Sequence, residues 1–518
     1  MNAANVITVL SKLPIASLAR GLWRAVLVFA WPLVLVVKAP LAVLALTAAA
    51  VVYVALDGWL LAAATAAPVL FAVVWSRVHP RSWAPIRARL LGSIRGPLLY
   101  RWRWRRLCLA CGLTKKNKTD GEDHAPVLAR VRAIPAGDEL RVRLLPGQIP
   151  DDFIRRADDL AHALGAREVG VTCPKPGWVR LTVARRDVLA RPLTLSSVPP
   201  ILNPAKVPYA VGEDGLWRHR SYVNVSGEVG GGLPGSGKTA GETSLMVGLA
   251  QNPAVQFVVI DGKGGDDWSW IRSRASIYIA DDDDFTTVRD TLRTVARFAQ
   301  QRIRTQRAMR GNSNFWNMPL VPEHPWLIVI VDEVQTWTEN AAVTNKEDKA
   351  LAAEITALLG KLVKKYRSAG VLTRLLTQKP TGDTLPTHIR DNTSIRTSWR
   401  VLSRTAAESI LGDGVLATST ISPVDIPVNL RGVAVVADDK ANLERVRFPY
   451  VLEDAAERMA HQTAHLRRDI TDLIPSDEDV SLERLTPDGH PLPPAPPTED
   501  TPSVTNTAPA VRELEGAH

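Results

Sequence analysis

At residues 232–239 the chain reads Gly232-Leu233-Pro234-Gly235-Ser236-Gly237-Lys238-Thr239. The stretch fits the pattern G-x-x-x-x-G-K-[ST], whose backbone N–H groups wrap phosphate oxygens when the loop follows a strand and begins a helix. The apolar run Tyr222–Ser226 predicts the strand, and the residues from Ala240 onward predict the helix. We therefore expect residues Gly232 through Ala240 to bind the phosphates of ATP within an α/β domain.

A second motif completes this nucleotide site. Five apolar residues, Leu327–Val331, predict a buried strand that ends in Asp332 and Glu333. In P-loop enzymes the lysine reaches the β- and γ-phosphates, while the hydroxyl of Thr239 and an acid such as Asp332 serve Mg²⁺. Glu333 is then the expected base that polarises the attacking water. The two motifs in this order predict an ATPase that uses ATP and Mg²⁺.

Strand-like and helical stretches alternate between Ser221 and Tyr450, which is typical of a parallel α/β sheet. The other predicted strands are Phe257–Ile260, Val371–Thr377, Thr397–Val401 and Gly432–Val436. Ligands of such sheets gather at the carboxyl ends of the strands. Gln378 follows one of these ends and is a candidate sensor of the γ-phosphate. Asp261 and Lys263 follow another, where a solvated turn is nearly as good an interpretation.

Composition divides the chain into five parts. The boundaries that we predict are 1–118 for a membrane anchor with a basic segment, 119–200 for a small α+β domain of order ββαββ, 201–450 for the ATPase motor, 451–475 for a short helical extension and 476–518 for a tail. The tail is rich in proline and acids, a composition that predicts disorder.

Two apolar runs, Ala39–Leu56 and Gly58–Ser76, are separated by the single charge Asp57. Each is long enough for a helix across a bilayer, which takes about 17–25 residues. Positive charges flank the pair and are absent from the turn, so the positive-inside bias places both termini and the motor in the cytoplasm. The sequence thus predicts a helical hairpin in the bacterial plasma membrane. The shorter run Ala25–Val37 contains Pro32 and favours an interfacial or partly inserted helix instead. As a third span it would place the N-terminus outside.

Most of the net charge of +10 lies in the predicted anchor, because residues 1–118 hold 16 basic side chains and one acidic side chain. The basic stretch Arg77–Lys118 is typical of contact with anionic lipid head groups, and contact with DNA is the alternative. Cys108 and Cys111 form one C-x-x-C without a second pair, which favours ordinary thiols over a zinc site. The arginines of Arg293–Arg310 favour a solvated helix face.

Together these motifs resemble the FtsK/SpoIIIE family of bacterial DNA translocases, most closely its Tra-type members on actinomycete plasmids and integrative conjugative elements. The resemblance covers roughly residues 125–450. The stretches that carry it are Gly232–Thr239, Val258–Lys263, Arg297–Asn317, Ile330–Glu333, Tyr366–Gly370, Thr377–Pro380 and Leu430–Val433.

The resemblance implies a RecA-like motor that assembles into a hexameric ring and pulls double-stranded DNA through its pore. On the family's pattern Arg367 is an arginine finger that acts in trans, and Arg404 is a second trans-acting basic residue. Lys379 and Arg390 fall on positions that face the DNA backbone, where phosphate contacts give affinity without sequence choice. The sequence departs from the family at Lys379, which replaces an arginine, and at Glu408, which occupies an often basic pore position.

Conjugative transfer of a plasmid or integrative element is the function that this pattern favours. Chromosome partition at cell division is an alternative, although such motors usually carry four membrane spans and a DNA-reading C-terminal domain. A protein-secretion ATPase of related fold is another alternative, and it predicts several motor modules where this sequence has one glycine-rich loop of this kind. A non-catalytic scaffold has no need of Lys238, Asp332 and Glu333.

Overall fold

The computed structural model describes residues 58–116, 121–339, 345–381, 384–417, 419, 421–438 and 442–474. The chain forms two compact units, Met1–Arg95 and Gly96–His518. The first predicted membrane run, 39–56, the interfacial run, 25–37, and the predicted tail, 476–518, lie outside the described residues.

The described part of the first unit is helical. Helix α1 covers Gly58–Val78, which includes the second predicted membrane run, and α2 covers Pro80–Arg95. Within the described ranges, no helix combines the length and the apolar character that crossing a membrane requires. The membrane hairpin therefore stays a prediction.

A small α+β domain begins the second unit. Its elements are α3 (Trp104–Ala110), β1 (Lys115–Lys116), β2 (Asp123–His124), β3 (Val127–Ile134), β4 (Gly137–Arg143), α4 (Pro150–Ile154), α5 (Ala157–Leu164), β5 (Glu168–Lys175) and β6 (Trp178–Ala184). Strands β3 to β6 form an antiparallel sheet in the order β3-β4-β6-β5. Every second residue of β6, namely Val179, Leu181 and Val183, is buried, as the two-residue period of a half-buried strand requires.

The core of this domain reaches further towards the N-terminus than the sequence indicates. Tyr100, Trp104 and Cys108 are buried together with the inner face of the sheet. The Tyr100 hydroxyl donates a hydrogen bond of 2.8 Å to the buried carboxylate of Asp138. Assigning the whole of 77–118 to the membrane anchor is therefore wrong, because residues 96–113 pack within the small domain. Cys108 forms no disulfide, and burial raises the pKa of its thiol to about 12.

The remainder of the second unit is organised around a ten-stranded sheet. The strands of this region are β7 (Thr194–Leu195), β8 (Val207–Gly212), β9 (Trp217–Arg220), β10 (Gly227–Gly231), β11 (Val255–Asp261), β12 (Ile277–Ile279), β13 (Trp326–Asp332), β14 (Val371–Thr377), β15 (Ile395–Trp399), β16 (Val433–Ala437), β17 (Leu443–Arg447) and β18 (Tyr450–Val451). Ten of them take the order β12-β11-β13-β14-β10-β15-β16-β17-β8-β9, while β7 and β18 pair separately. Pairing is parallel from β12 to β15 and antiparallel beyond, so the predicted α/β class is confirmed.

Helices cover both faces of the sheet. They are α6 (Lys238–Ala250), α7 (Phe285–Arg310), α8 (Gln335–Thr338), α9 (Lys346–Lys365), α10 (Thr387–Arg390), α11 (Arg404–Leu411) and α12 (Glu453–Gln462). The apolar sides of α7 and α9 contribute to one core, and those of α6 and α12 contribute to the other. Strands β11, β13 and β14 are buried along their whole length, which explains their largely apolar sequences.

The predicted strand Tyr222–Ser226 is wrong, because the strand before the glycine-rich loop is β10, Gly227–Gly231. Asn224 has a φ of 60°, a left-handed conformation that turns the chain before the sheet begins. The glycines of β10 are required by close packing. A Cβ on Gly227 would lie 2.2 Å from the side chain of Val363, and one on Gly230 would lie 2.8 Å from that of Leu376. Strand propensity does not predict β10, because neighbouring side chains occupy the space beside its glycines.

The prediction of a solvated arginine face on α7 is wrong at Arg302. This side chain is buried and donates hydrogen bonds to the carbonyl oxygens of Pro325, at 2.8 Å, and Ala369, at 3.0 Å. Its guanidinium also lies 4.1 Å from the ring centre of Phe298. Arg302 thus joins α7 to the segments that lead into β13 and β14.

We expect Arg302→Ala to lower the free energy of unfolding by about 3 kcal/mol, because two buried carbonyl groups lose their donor. The measurement is the urea-unfolding midpoint of the full chain. The control is Arg304→Ala, which removes an exposed arginine from the same helix and should change the stability by less than about 0.5 kcal/mol. Equal midpoints for the two variants would contradict the structural role of Arg302.

Candidate nucleotide-binding site

The glycine-rich loop lies between β10 and α6, as its sequence predicts. Gly235 and Gly237 have φ values of 72° and 95°, which glycine adopts at little cost. A Cβ on Gly237 would lie 2.4 Å from the backbone nitrogen of Gly432, so this position admits no side chain. The Gly432 N–H donates a 2.8 Å hydrogen bond to the carbonyl oxygen of Ser236. The segment before β16 thus holds the loop in shape.

The loop presents groups suited to an anion. The first residues of α6 are Lys238, Thr239 and Ala240, and the first N–H groups of a helix have no partner within the helix. The hydroxyl oxygen of Ser236 is buried, and among the described residues it has no hydrogen-bond partner. A helix N-terminus with these free donors is a ready phosphate site.

Lys238 is the buried centre of the site. Its ammonium group lies 2.7 Å from a carboxylate oxygen of Asp332 and 2.8 Å from one of Glu333. Burial by itself lowers the pKa of Lys238, but the charges and hydrogen bonds of the two carboxylates outweigh it and raise the pKa above the ordinary lysine value. The lysine is therefore charged, and the structure brings together the three residues that the two motifs predict.

Asp332 is held by several groups at the end of β13. Its second oxygen accepts a 2.8 Å hydrogen bond from the indole N–H of Trp268, and Thr239 Oγ1 lies 3.5 Å from the same oxygen. The register of the sheet places Asp261 of β11 beside Asp332. Burial, followed by the nearby charge of Asp332, raises the pKa of Asp261 to about 6, although its hydrogen bond from the Lys263 N–H opposes the shift. Asp261 is thus part of a buried acidic edge and not of a solvated turn.

Glu333 has an unusual backbone, and its carboxylate accepts three hydrogen bonds. Its φ of 48° is left-handed, a conformation that costs a glutamate energy and that occurs often at functional sites. One oxygen faces Lys238, and the other accepts hydrogen bonds from Gln335 Nε2 at 2.5 Å and from the Gln378 N–H at 3.1 Å. Gln378 therefore reaches the site through its backbone. The amide side chain beside the carboxylate belongs to Gln335, and the role of Gln378 as a γ-phosphate sensor stays a prediction.

The two predicted trans-acting arginines lie at opposite edges of the sheet. Arg367 is exposed and precedes β14, whereas the glycine-rich loop follows the parallel strand β10. Seven residues of β14 separate the two edges, which is about 23 Å at ~3.3 Å per residue. Arg404 begins α11 beyond the end of β15, on the edge of the loop, and its Nε lies 3.2 Å from a carboxylate oxygen of Glu408.

The two predicted DNA contacts already have protein partners. Lys379 is more than half exposed, and its ammonium lies 2.5 Å from a carboxylate oxygen of Glu339. Arg390 is half-buried and donates to the carbonyl oxygen of Ser409 at 2.9 Å. Lys379 is therefore the more accessible of the two.

Comparisons with known proteins agree with the sequence motifs. Residues 72–185 match the family described as the actinomycete conjugal transfer protein N-terminal domain. The chain is 28% identical to the transfer protein TraSA of Streptomyces ambofaciens over 392 residues, which cover 70% of this chain and 91% of that protein. The predicted resemblance to the actinomycete transfer proteins is confirmed.

Two further likenesses are weaker. A sporulation regulatory protein of Streptomyces azureus is 28% identical over 243 residues, or 46% of this chain and 77% of that protein. The structure of the pCW3 conjugation coupling protein TcpA, a monomer form with ATPγS, has a TM-score of 0.47 and 16% identity, and the match covers 71% of this chain and 99% of that one.

Two residues of the site are not predicted by the sequence motifs. Trp268 belongs to no motif, and only the folded loop after β11 brings its indole to Asp332. Gln335 is two residues from Glu333, and its role depends on the left-handed turn at Glu333, which no propensity predicts. A polar residue soon after the acidic pair is the one signal that the sequence offers for Gln335.

Proposed function

We propose that this chain is an ATP-driven double-stranded DNA translocase of conjugative transfer. The observation that carries the ATP-driven part of the proposal is the buried group of Lys238, Asp332 and Glu333 beside the glycine-rich loop. The similarity to a Streptomyces transfer protein over most of that protein's length supports the link to conjugation. The resemblance to DNA translocases supports the choice of DNA as the transported molecule.

The residues of the site suit ATP hydrolysis. The loop N–H groups and the unpartnered Ser236 hydroxyl would bind phosphate oxygens, and Lys238 would exchange its carboxylates for the β- and γ-phosphates. Thr239 and Asp332 offer the oxygen ligands that Mg²⁺ prefers, and when bound this ion supplies positive charge at the phosphates. Glu333 would then orient and polarise the attacking water, while Trp268 keeps the Asp332 carboxylate in place.

The position of Arg367 supports an oligomeric enzyme. This exposed arginine lies about 23 Å from the glycine-rich loop of its own chain, too far for a contact with a nucleotide bound there. A neighbouring copy in a ring could present its Arg367 to that nucleotide and stabilise the charge of the transition state. We propose a homo-oligomeric ring, with six subunits as the resemblance implies.

A few side chains, rather than bulk charge, support contact with DNA. Residues 119–475 carry a net charge of only +2, so the motor has no general affinity for polyanions. Lys379 lies just beyond the end of β14 and is exposed, which suits a contact with a DNA phosphate. Such contacts do not distinguish sequences, as a motor that moves along any DNA requires.

We also propose that the chain is anchored in the bacterial plasma membrane, with the motor and both termini in the cytoplasm. The support is the pair of apolar runs 39–56 and 58–76 with basic flanks. The second of these runs lies within the helix Gly58–Val78.

We expect the full chain, purified in mild detergent, to hydrolyse ATP faster when double-stranded DNA is added. Lys238→Ala should abolish hydrolysis with and without DNA, because the phosphates lose their buried cation. The measurement is phosphate release at saturating ATP. Lys349→Ala, which removes an exposed lysine of α9, is the control and should behave as the unchanged chain. A rate that DNA leaves unaffected would exclude the translocase.

We expect two inactive variants to restore each other when mixed. Arg367→Ala should bind ATP and fail to hydrolyse it, and Lys238→Ala should fail in its own site while it still presents Arg367. Mixed rings then contain interfaces with an intact lysine and an intact arginine, so hydrolysis should return. The reference is a mixture of Lys364→Ala with Lys238→Ala, because Lys364→Ala removes an exposed lysine and retains Arg367. A mixture of Arg367→Ala and Lys238→Ala without activity would show that Arg367 does not act in trans.

We expect the full chain to stay in the bacterial membrane pellet after an alkaline carbonate wash. The double variant Leu46→Arg, Val69→Arg should leave the pellet, because each charge at the centre of a spanning helix costs about 2.5–3.5 kcal/mol. Leu202→Arg places the same charge at an exposed leucine of the motor region and should leave the fractionation unchanged. Equal fractionation of the two variants would argue against the hairpin.

A further inference from the structure

The carboxylate of Glu333 is more tightly bound than a water-polarising base requires. One oxygen accepts from Lys238, at 2.8 Å, and the other accepts from Gln335 Nε2, at 2.5 Å, and from the Gln378 N–H, at 3.1 Å. Each of these hydrogen bonds occupies a lone pair of the carboxylate and fixes its orientation. Two of the three donors come from outside the phosphate-binding loop, and nucleotide binding would not displace them.

The amide of Gln335 is itself fixed from the other side. Its oxygen accepts a 2.7 Å hydrogen bond from the hydroxyl of Thr377, and that hydroxyl accepts one of 3.0 Å from the Lys379 N–H. The amide therefore points its nitrogen at Glu333 and its oxygen at the end of β14. A continuous chain of hydrogen bonds runs from the backbone of Lys379 to the Glu333 carboxylate.

A second connection joins the same two segments at the surface. Gln335 begins the four-residue helix α8, and Glu339 follows that helix, with its N–H bonded to the Gln335 carbonyl oxygen at 3.0 Å. The Glu339 carboxylate pairs with the ammonium of Lys379 at 2.5 Å. The lysine is more than half exposed, whereas the Glu339 side chain is 18% exposed. An anion from solvent can therefore reach Lys379 and compete with Glu339 for its ammonium group.

We propose that Gln335 is a positioning residue that restrains the Glu333 carboxylate until a DNA phosphate takes Lys379 from Glu339. This inference rests on the proposed function, because it names DNA as the anion that reaches Lys379. When the phosphate draws Lys379 away, both connections to α8 change: the Glu339 pair opens, and the Lys379 N–H moves relative to Thr377. Gln335 then loses its orientation, and Glu333 gains a free lone pair towards water. This arrangement keeps ATP hydrolysis slow until DNA binds.

The test uses the full chain in mild detergent and measures steady-state ATP hydrolysis with and without a linearised double-stranded plasmid. Gln335→Leu keeps the size of the side chain and removes its donor. We expect it to raise kcat without DNA about tenfold, to leave KM for ATP unchanged, and to reduce the stimulation by DNA accordingly. Glu339→Gln, which weakens the exposed pair, should act in the same direction with a smaller rise. Gln462→Leu, at the exposed end of α12, is the matched control and should change neither rate.

Two results would overturn the proposal. An unchanged DNA-free rate in both variants would show that the connections restrain nothing. A fall of kcat by the same factor with and without DNA in Gln335→Leu would show that Gln335 only orients the base. Binding of a fluorescent ATP analogue verifies that Gln335→Leu folds. Glu339→Gln serves as a second, milder variant, because it weakens only the pair with the exposed Lys379. Failure of the proposed function gives a different pattern, in which DNA does not stimulate the unchanged chain whatever the DNA-free rates of the variants.

Discussion

The buried contact of Lys238 with Asp332 and Glu333 is the interaction on which the rest of the motor depends. A lysine in this position would be costly without counter-charges, and loss of the lysine would leave two buried carboxylates without a cation. The lysine begins α6, after the loop that follows β10, and the acids lie at the end of β13, yet β14 lies between β10 and β13. The contact therefore passes over the end of β14, which explains why Thr377 and Gln378 take part in the site.

A second buried group of charges fixes the strand that leads into the site. Strand β10 has three glycines and only two larger residues, of which Glu228 receives Arg374 of β14 at 2.6 Å and Arg220 at 2.8 Å. Arg374 also pairs with Glu242 of α6. Burial raises the pKa of Glu242 to about 7, against the opposing effect of Arg374. Ion pairs thus connect β10, β14 and α6 where a glycine-rich strand cannot supply apolar contacts, and they fix the loop between β10 and α6 at both ends.

The sequence predicts those parts of the structure whose signal is local. The apolar runs of β11, β13 and β14 and the loop at Gly232–Thr239 are where the pattern places them, because a strand covered on both faces is mostly apolar and a phosphate loop needs its glycines. Strand β10 is not predicted, because its glycines make room for the side chains of Val363 and Leu376, which are distant in the sequence. Arg302 is missed for a similar reason, since the carbonyl groups that bury it belong to two other segments. The partners of Glu333 depend on a left-handed backbone that no periodicity encodes.

The same geometry gives a physical order to the steps of the proposed reaction. While Lys238 is bound to Asp332 and Glu333, one oxygen of each acid accepts a hydrogen bond from the lysine. A triphosphate would offer Lys238 more negative charge than the two carboxylates. Its arrival would leave Glu333 Oε1 without this donor, while Asp332 Oδ1 would keep its hydrogen bond from the Glu333 N–H. Asp332 retains Trp268, which keeps its orientation, and Glu333 retains Gln335, which keeps its restraint. Nucleotide binding would therefore leave Asp332 oriented for a metal ion and would release Glu333 only in part. The hydrogen bonds that still restrain Glu333 connect it through Gln335 to Lys379 at the surface.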